Sequence, residues 1–144
     1  MNNLSSFFCA KPQLFSKRLH KISFLSLTTL TNMLLNPKGN KPKVFIYSNE
    51  TKQIVIKIIE MMKKTSDFVI IAMHYGDEYL DRPNQYQLDV SREIAEAGAD
   101  LILGNHSHHI QRPEFIYTKN KKRKVFVSYS QGNFISHQNR IDSL

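Results

Sequence analysis

The segment Asp67-Phe68-Val69-Ile70-Ile71-Ala72-Met73 constrains this chain more than any other. It is a nearly continuous apolar run, the pattern of a strand buried on both faces. On either side the period changes. Ile54, Val55, Ile58, Ile59 and Met62 fall on one helical stripe, with Lys52, Lys57, Glu60, Lys63 and Lys64 on the opposite face. Ser48 or Asn49 is placed to cap this helix, with Glu50 in its first turn and lysines at its end, where the helix dipole favours each. A second helix is expected from Asn84, with Gln87 at capping-box spacing, through Leu88, Ser91, Ile94 and Ala95 to a C-cap at Gly98.

Shorter strands complete the pattern: Ile22–Leu27, Val44–Tyr47, Leu101–Leu103, a hairpin over Glu114–Ser130, and Asn133–Ile135. Asn36–Pro42, with Pro37, Gly39 and Pro42, is turn chemistry. Strand, helix, strand, helix, strand and hairpin in that order favour an α/β layered fold with helices packed over side-by-side strands. The 144 residues suffice for one domain with a modest core. Residues Met1–Leu19 show no period and are expected to form an irregular leader, leaving 20–144 as the structured part.

Several function classes are excluded or weakened. Cys9 is the only cysteine, so no internal disulfide and no multi-cysteine metal site exists; it reads as incidental. No apolar run approaches the roughly 20 residues that span a bilayer. Ile22–Leu35 after Lys17, Arg18, His20 and Lys21 imitates a signal peptide. It starts late, carries several Ser and Thr, and lacks a small-residue cleavage site, so a strand and polar loop fit better. The net charge of +8 includes the run Lys119, Lys121, Lys122, Arg123 and Lys124. That run sits between Glu114–Tyr117 and Lys124–Ser128, which reads as a solvated hairpin tip rather than a specific nucleic-acid patch.

Chemistry concentrates in two loops that follow the apolar strands: His74-Tyr75-Gly76-Asp77-Glu78-Tyr79 and Gly104-Asn105-His106-Ser107-His108-His109. Ligands of open α/β sheets bind at the carboxyl ends of strands. A single histidine there is ordinarily a hydrogen-bonded surface group. Three of the chain's six histidines in one loop, with His74 at the matching point one strand over, point instead to a metal. His106 and His108 at i and i+2 would aim the same way from an extended loop, and Gly104 allows a tight exit from the strand. Imidazole donors suit zinc, iron, manganese or nickel. His109 would point away from His108 and receives no role, as do the solitary His20 and His137.

These residues resemble a family. Asp67–Tyr79 is similar to the strand and His-Trp-Gly-x-Glu-Tyr loop of the CapA proteins associated with poly-γ-glutamate capsule synthesis, with Tyr75 in place of Trp. Ala97–His108 resembles the family's Gly-Ala-Asp…Gly-His-His-Pro-His segment, and Gln111 and Glu114 continue it. Tyr129-Ser130-Gln131-Gly132-Asn133-Phe134 resembles its Tyr-Ser-Leu-Gly-Asn-Phe motif. The likeness covers about residues 20 to 140.

The resemblance implies a calcineurin-like metallophosphoesterase fold, a β-sandwich with flanking helices and a two-metal centre. By position His74, His106 and His108 are the metal ligands, Glu78 the acid/base group, and Asn105 and Asn133 substrate-binding groups. Asn133 is equally placed to orient a ligand. The cofactor would be a divalent ion, with manganese, iron or zinc the first choices. Family members act in the cell envelope or outside it. Two departures stand out: Asn105 replaces a histidine, and Ser107 replaces proline, which should loosen the loop. The first 66 residues contain no aspartate, so the bridging carboxylates of such a site are missing. The expectation is a C-terminal part of the domain, incomplete at its start and its end, inactive unless a complementing N-terminal segment joins it. The competing readings are a non-catalytic remnant holding one metal, and a basic module that binds poly-γ-glutamate or another anionic polymer.

Overall fold

The apolar runs become the parallel centre of one sheet, in a computed structural model that describes residues 13–17, 20–31 and 44–133. The strands are β1 (Gln13–Lys17), β2 (His20–Thr28), β3 (Phe68–His74), β4 (Leu101–Asn105), β5 (Ile110–Gln111), β6 (Glu114–Tyr117), β7 (Lys124–Ser128) and β8 (Ser130–Gln131). The helices are α1 (Lys52–Thr65), between β2 and β3, and α2 (Gln85–Ala97), between β3 and β4. Six strands form the sheet in the order β1-β2-β3-β4-β7-β6, and β5 pairs with β8 in a small second sheet. Strands β2, β3, β4 and β7 are mutually parallel; β1 and β6 are antiparallel edges. The α/β class read from the sequence is therefore observed.

Both helices connect neighbouring parallel strands that advance in one direction across the sheet. Crossovers of one hand then place both helices on one face. Burial follows that rule. Leu25, Leu27, Val69, Ile71, Met73, Ile102, Val125 and Val127 lie on the covered face at 0–2% exposure. They pack with Val55, Ile58, Ile59 and Met62 of α1 and Val90, Ile94 and Ala95 of α2. Alternate residues of the same strands, among them Phe24, Ile70, Ala72 and Leu103, are only half-buried. The expectation that β3 is buried on both faces is corrected: among the described residues, layers cover one face only. Its uniform hydrophobicity marks an apolar open face.

Local expectations meet the structure unevenly. The α2 capping box forms as read: Asn84 Oδ1 accepts from Gln87 N at 2.8 Å and Gln87 Oε1 from Asn84 N at 3.1 Å. Gly98 is its C-cap, at φ 136°. In α1 the N-cap is Thr51, not Ser48 or Asn49, and no acidic residue occupies the first turn. The Thr51 hydroxyl donates to Ile46 O and accepts from Ser48 N, so it is committed to the preceding turn. Glu50 accepts from the Ser48 hydroxyl outside the helix. Val44–Tyr47 forms only a single bridge, Thr28 with Ile46. Strand β1 falls within the stretch expected to be irregular, because it can pair antiparallel with β2 from Gln13↔Phe24 to Lys17↔His20. Residues 1–12 of that stretch, Cys9, the Asn36–Pro42 turn, Phe134, Ile135 and His137 lie outside the described residues. Among the described residues no helix is long and apolar enough to cross a membrane.

The hairpin β6–β7 forms as expected, and Lys119, Lys121, Lys122 and Lys124 around its tip are exposed. Arg123 is the exception: its guanidinium donates to Ala99 O at 2.9 Å and to Ala95 O and Glu96 O, closing the C-terminus of α2. Asp100 locks the other side of this corner. Its carboxylate accepts from Lys63 Nζ at 2.8 and 2.9 Å and from Val69 N at 2.9 Å, joining α1, β3 and the start of β4. Removing that carboxylate leaves a strand N–H without its acceptor and a half-buried ammonium with only Asp67 O, at 3.3 Å. Asp100→Ala should cost about 1–3 kcal/mol in urea unfolding. A loss under about 0.5 kcal/mol, the range of ordinary surface changes, would contradict this account.

Candidate metal centre

Four parallel strands deliver their carboxyl ends to one edge of the sheet, and both histidine-bearing loops start there. Strand β3 ends in His74 and β4 in Asn105, and the two are register partners. Tyr75 N continues the pairing to Asn105 O at 3.1 Å. Beyond β2, Thr29 N donates to His74 O at 3.0 Å. Beyond β7 the chain passes through β8 to Asn133. Its Oδ1 lies 2.8 Å from His108 Nδ1.

The structure brings all three predicted imidazoles together. The His74 and His106 ring centroids are 4.5 Å apart and those of His106 and His108 6.3 Å apart. His106 is buried and His74 exposed. The route differs from the expected one. The loop is not extended; it is a run of bends with His106 at φ 121° and His108 at φ 63°. Asn105 stabilises the first bend by accepting His106 N at 2.9 Å through its own Oδ1. Ser107 does not loosen the loop. It is fully buried, its hydroxyl donates to His109 O at 2.9 Å, and its carbonyl accepts Tyr79 N at 2.7 Å.

Partial loss of solvent is the main cause that holds the His74 imidazole below its ordinary value of 6.5; His106 and His108 add to it and Glu78 opposes it. Burial likewise lowers His106, with Glu78 and Asp77 pulling upward and His108 downward. Both rings therefore favour the neutral form that a metal requires. Glu78 and Asp77 stand close enough for His106 to feel their charge, so carboxylates are present near the imidazoles. The sequence reading had considered only imidazoles as ligands and left Asp77 out.

Beneath the loops lies a buried polar framework. Gln87 and Gln111 are fully buried and joined by a 2.9 Å carboxamide bond. Gln111 Nε2 also donates to Leu80 O and Arg82 O at 3.1 and 3.0 Å, fixing the far end of the His74 loop. Tyr75, in the place of the family's Trp, is fully buried and bonds Ser91 Oγ at 2.7 Å. Tyr129 donates to Glu114 at 2.5 Å. Two glycines permit this closeness. A Cβ at Gly104 would stand 2.0 Å from Tyr129 O, and one at Gly76 2.4 Å from the Gln87 carboxamide.

His74, His106 and His108 are the imidazoles from which a cation site here would have to be built, and imidazole is a donor type that fits one. Among the described residues no three His, Cys, Asp or Glu side chains already close around one ion position. Sequence reasoning missed Tyr79, which stacks on His108 at 5.5 Å, and His109, whose ring meets Tyr79 edge-on at 6.4 Å. The positive φ of Tyr79 (62°) carries no sequence signal in an aromatic residue.

The motifs that shape this edge recur in known proteins. The profile of the family described as "Bacterial capsule synthesis protein PGA_cap" matches residues 9–138. The chain belongs to this family. It is similar to the PGA biosynthesis protein CapA of Bacillus subtilis (strain 168), 33% identical over 117 residues that make up 81% of this chain and 28% of that protein. The capsule biosynthesis protein CapA of Bacillus anthracis is 31% identical over 84 residues, 58% of this chain and 19% of that one. The chain thus spans about a quarter or less of these relatives.

Two outcomes follow for this PGA_cap chain. Gly104→Ala should displace β4 from Tyr129 and lower the melting temperature by several degrees; an unchanged melting temperature would show that the close approach is dispensable. The unfolded chain takes up protons at its histidines as pH falls through 6.5, before the folded His74 and His106 do. Their contribution to stability is thus complete above that pH and lost on acidification. Imidazole C2-proton titrations by NMR should place both midpoints below 6.5, and a midpoint at or above it would refute the assignment.

Proposed function

We propose that this chain is part of a CapA-type protein of poly-γ-glutamate capsule synthesis, and that its histidine cluster is one half of a metal-dependent hydrolytic site. The observation that carries the reading is the convergence of His74, His106 and His108 from adjacent parallel strand ends. Membership in the PGA_cap family and the names of the two Bacillus relatives support the pathway. A divalent ion, manganese, iron or zinc, would supply Lewis acidity for an attacking water and for a developing oxyanion. The chain's own residues would hold and surround it: the three imidazoles would bind, Glu78, whose charge reaches His74 and His106, would move a proton, and Asn105 and Asn133 would meet the substrate.

The layered β-sandwich of metallophosphoesterases belongs to the same proposal. The open sheet face bears half-buried Ile22, Phe24, Ile70, Leu103 and Phe126 and the half-exposed Phe115. Such a face is suited to a second sheet, and the relatives are long enough to contain one. Their additional length is also where bridging carboxylates would come from, since the first 66 residues here contain no aspartate. The reading as a basic polymer-binding module is the weaker one. Arg123, at the heart of the run, is already committed to the end of α2.

Elemental analysis of the purified chain, loaded with manganese, iron or zinc, tests the site. About one tightly held cation per chain is expected, lost in a His106→Ala/His108→Ala double variant. No retained metal under any of the three loadings would overturn the proposal. About two per chain would mean that the site is already complete and that phosphodiester hydrolysis should be measurable.

A further inference from the structure

Tyr79 has a backbone that an aromatic residue rarely adopts, and its surroundings say why it is kept. At φ 62° it occupies the left-handed region, where a side chain is sterically disfavoured. Its N–H donates to Ser107 O at 2.7 Å, tying the loop after β3 to the middle of the histidine loop. That turn lays the phenol ring nearly parallel to the His108 imidazole, 5.5 Å between centroids and 25° between planes. His109 closes the arrangement from another side, edge-on to Tyr79 at 84°. The Nε2 of His109 is buried with no hydrogen-bond partner among the described residues. Packing against Tyr79 therefore helps to place that ring.

His108 is held a second time through Nδ1, 2.8 Å from Asn133 Oδ1. An amide oxygen can only accept, so Nδ1 carries the proton, which in the neutral ring leaves the lone pair on Nε2. One neighbour defines the plane of the ring and the other its tautomer. His108 itself sits at φ 63°, so neither is fixed by regular secondary structure.

We propose that Tyr79 is a positioning residue: its backbone is held by the Ser107 carbonyl and its ring, packed against His109, sets the plane of His108, while Asn133 sets its tautomer, so that Nε2 is presented as the donor atom. The inference rests on the metal-site reading for its purpose, but its geometry can be tested without metal. Groups that orient a ligating histidine commonly change metal affinity by about 10–100-fold when removed.

The test uses the whole 144-residue chain, metal-free, labelled at the histidine ring nitrogens. The wild type should show His108 as the Nδ1–H tautomer with ring protons shifted upfield by the Tyr79 ring current. Tyr79→Phe keeps the ring and should preserve both features. Tyr79→Gly accepts the left-handed backbone at no steric cost, and should abolish the upfield shift. Asn133→Ala should mix the tautomers. Zinc titration of the same samples should then show affinity falling about tenfold or more in Tyr79→Gly and holding in Tyr79→Phe. Should Tyr79→Gly not fold, Tyr79→Asn, which also tolerates this backbone, takes its place. The inference fails if the ringless variant keeps the His108 shifts and the zinc affinity of the wild type. A wild type that shows the expected tautomer and ring shift yet binds no zinc would uphold the positioning of His108 and reject the metal reading alone.

Discussion

The carboxamide bond between Gln87 and Gln111 is the contact on which the arrangement of the site depends. Both side chains are fully buried, and between them they reach Asn84, Leu80 O, Arg82 O and Tyr129 O. A buried amide that lost any of these would carry an unpaid desolvation cost. The pair therefore ties the first turn of α2, the loop after β3, strand β5 and the end of β7 into one unit. Gly76 lies against Gln87 and Gly104 against Tyr129, so the backbone approaches this unit where no side chain would fit. The histidine loops are shaped from below, by polar groups buried beneath them.

Much of the scaffold was legible in the sequence because its signals are local. The helical stripe from Ile54 to Met62, the Asn84–Gln87 capping box and the Gly98 stop each lie within a few residues and each appears as read. The parallel order β2-β3-β4 follows from alternation and crossover handedness. What escaped reading depends on distant partners. Thr51 stands at the cap position in place of Ser48 or Asn49, with its hydroxyl bonded to Ile46 O and not to the helix. Strand β1 exists because β2 offers an edge, which the composition of Gln13–Lys17 alone does not announce. Arg123 looked like one more cation in a basic run until the hairpin folded it onto the end of α2.

The nearness of the three imidazoles was legible and the conformation of their loop was not. His74, His106 and His108 meet as the spacing and strand ends suggested. The assumption of an extended loop failed, because Asn105 and Ser107 turn it with hydrogen bonds made only in the folded state. Ser107, which looked like a loosening replacement for proline, supplies a hydroxyl that bonds His109 O and that proline lacks. Tyr79 and His109 were silent in the sequence because stacking across two loops has no spacing rule.

The strands that present the histidines are parallel, and parallel neighbours are joined only by long crossovers. His74, His106 and Asn133 therefore come from segments far apart in the chain and coincide only when β3, β4 and β7 are in register. Loop-closure entropy makes such pairings late events in folding. An ion that requires them finds only the local His106–His109 run in the unfolded chain, so the greater part of its binding energy would weigh on the side of the native state. In this chain, a ligand at the edge of the sheet would act as a fastener for strands whose second face no described residue covers.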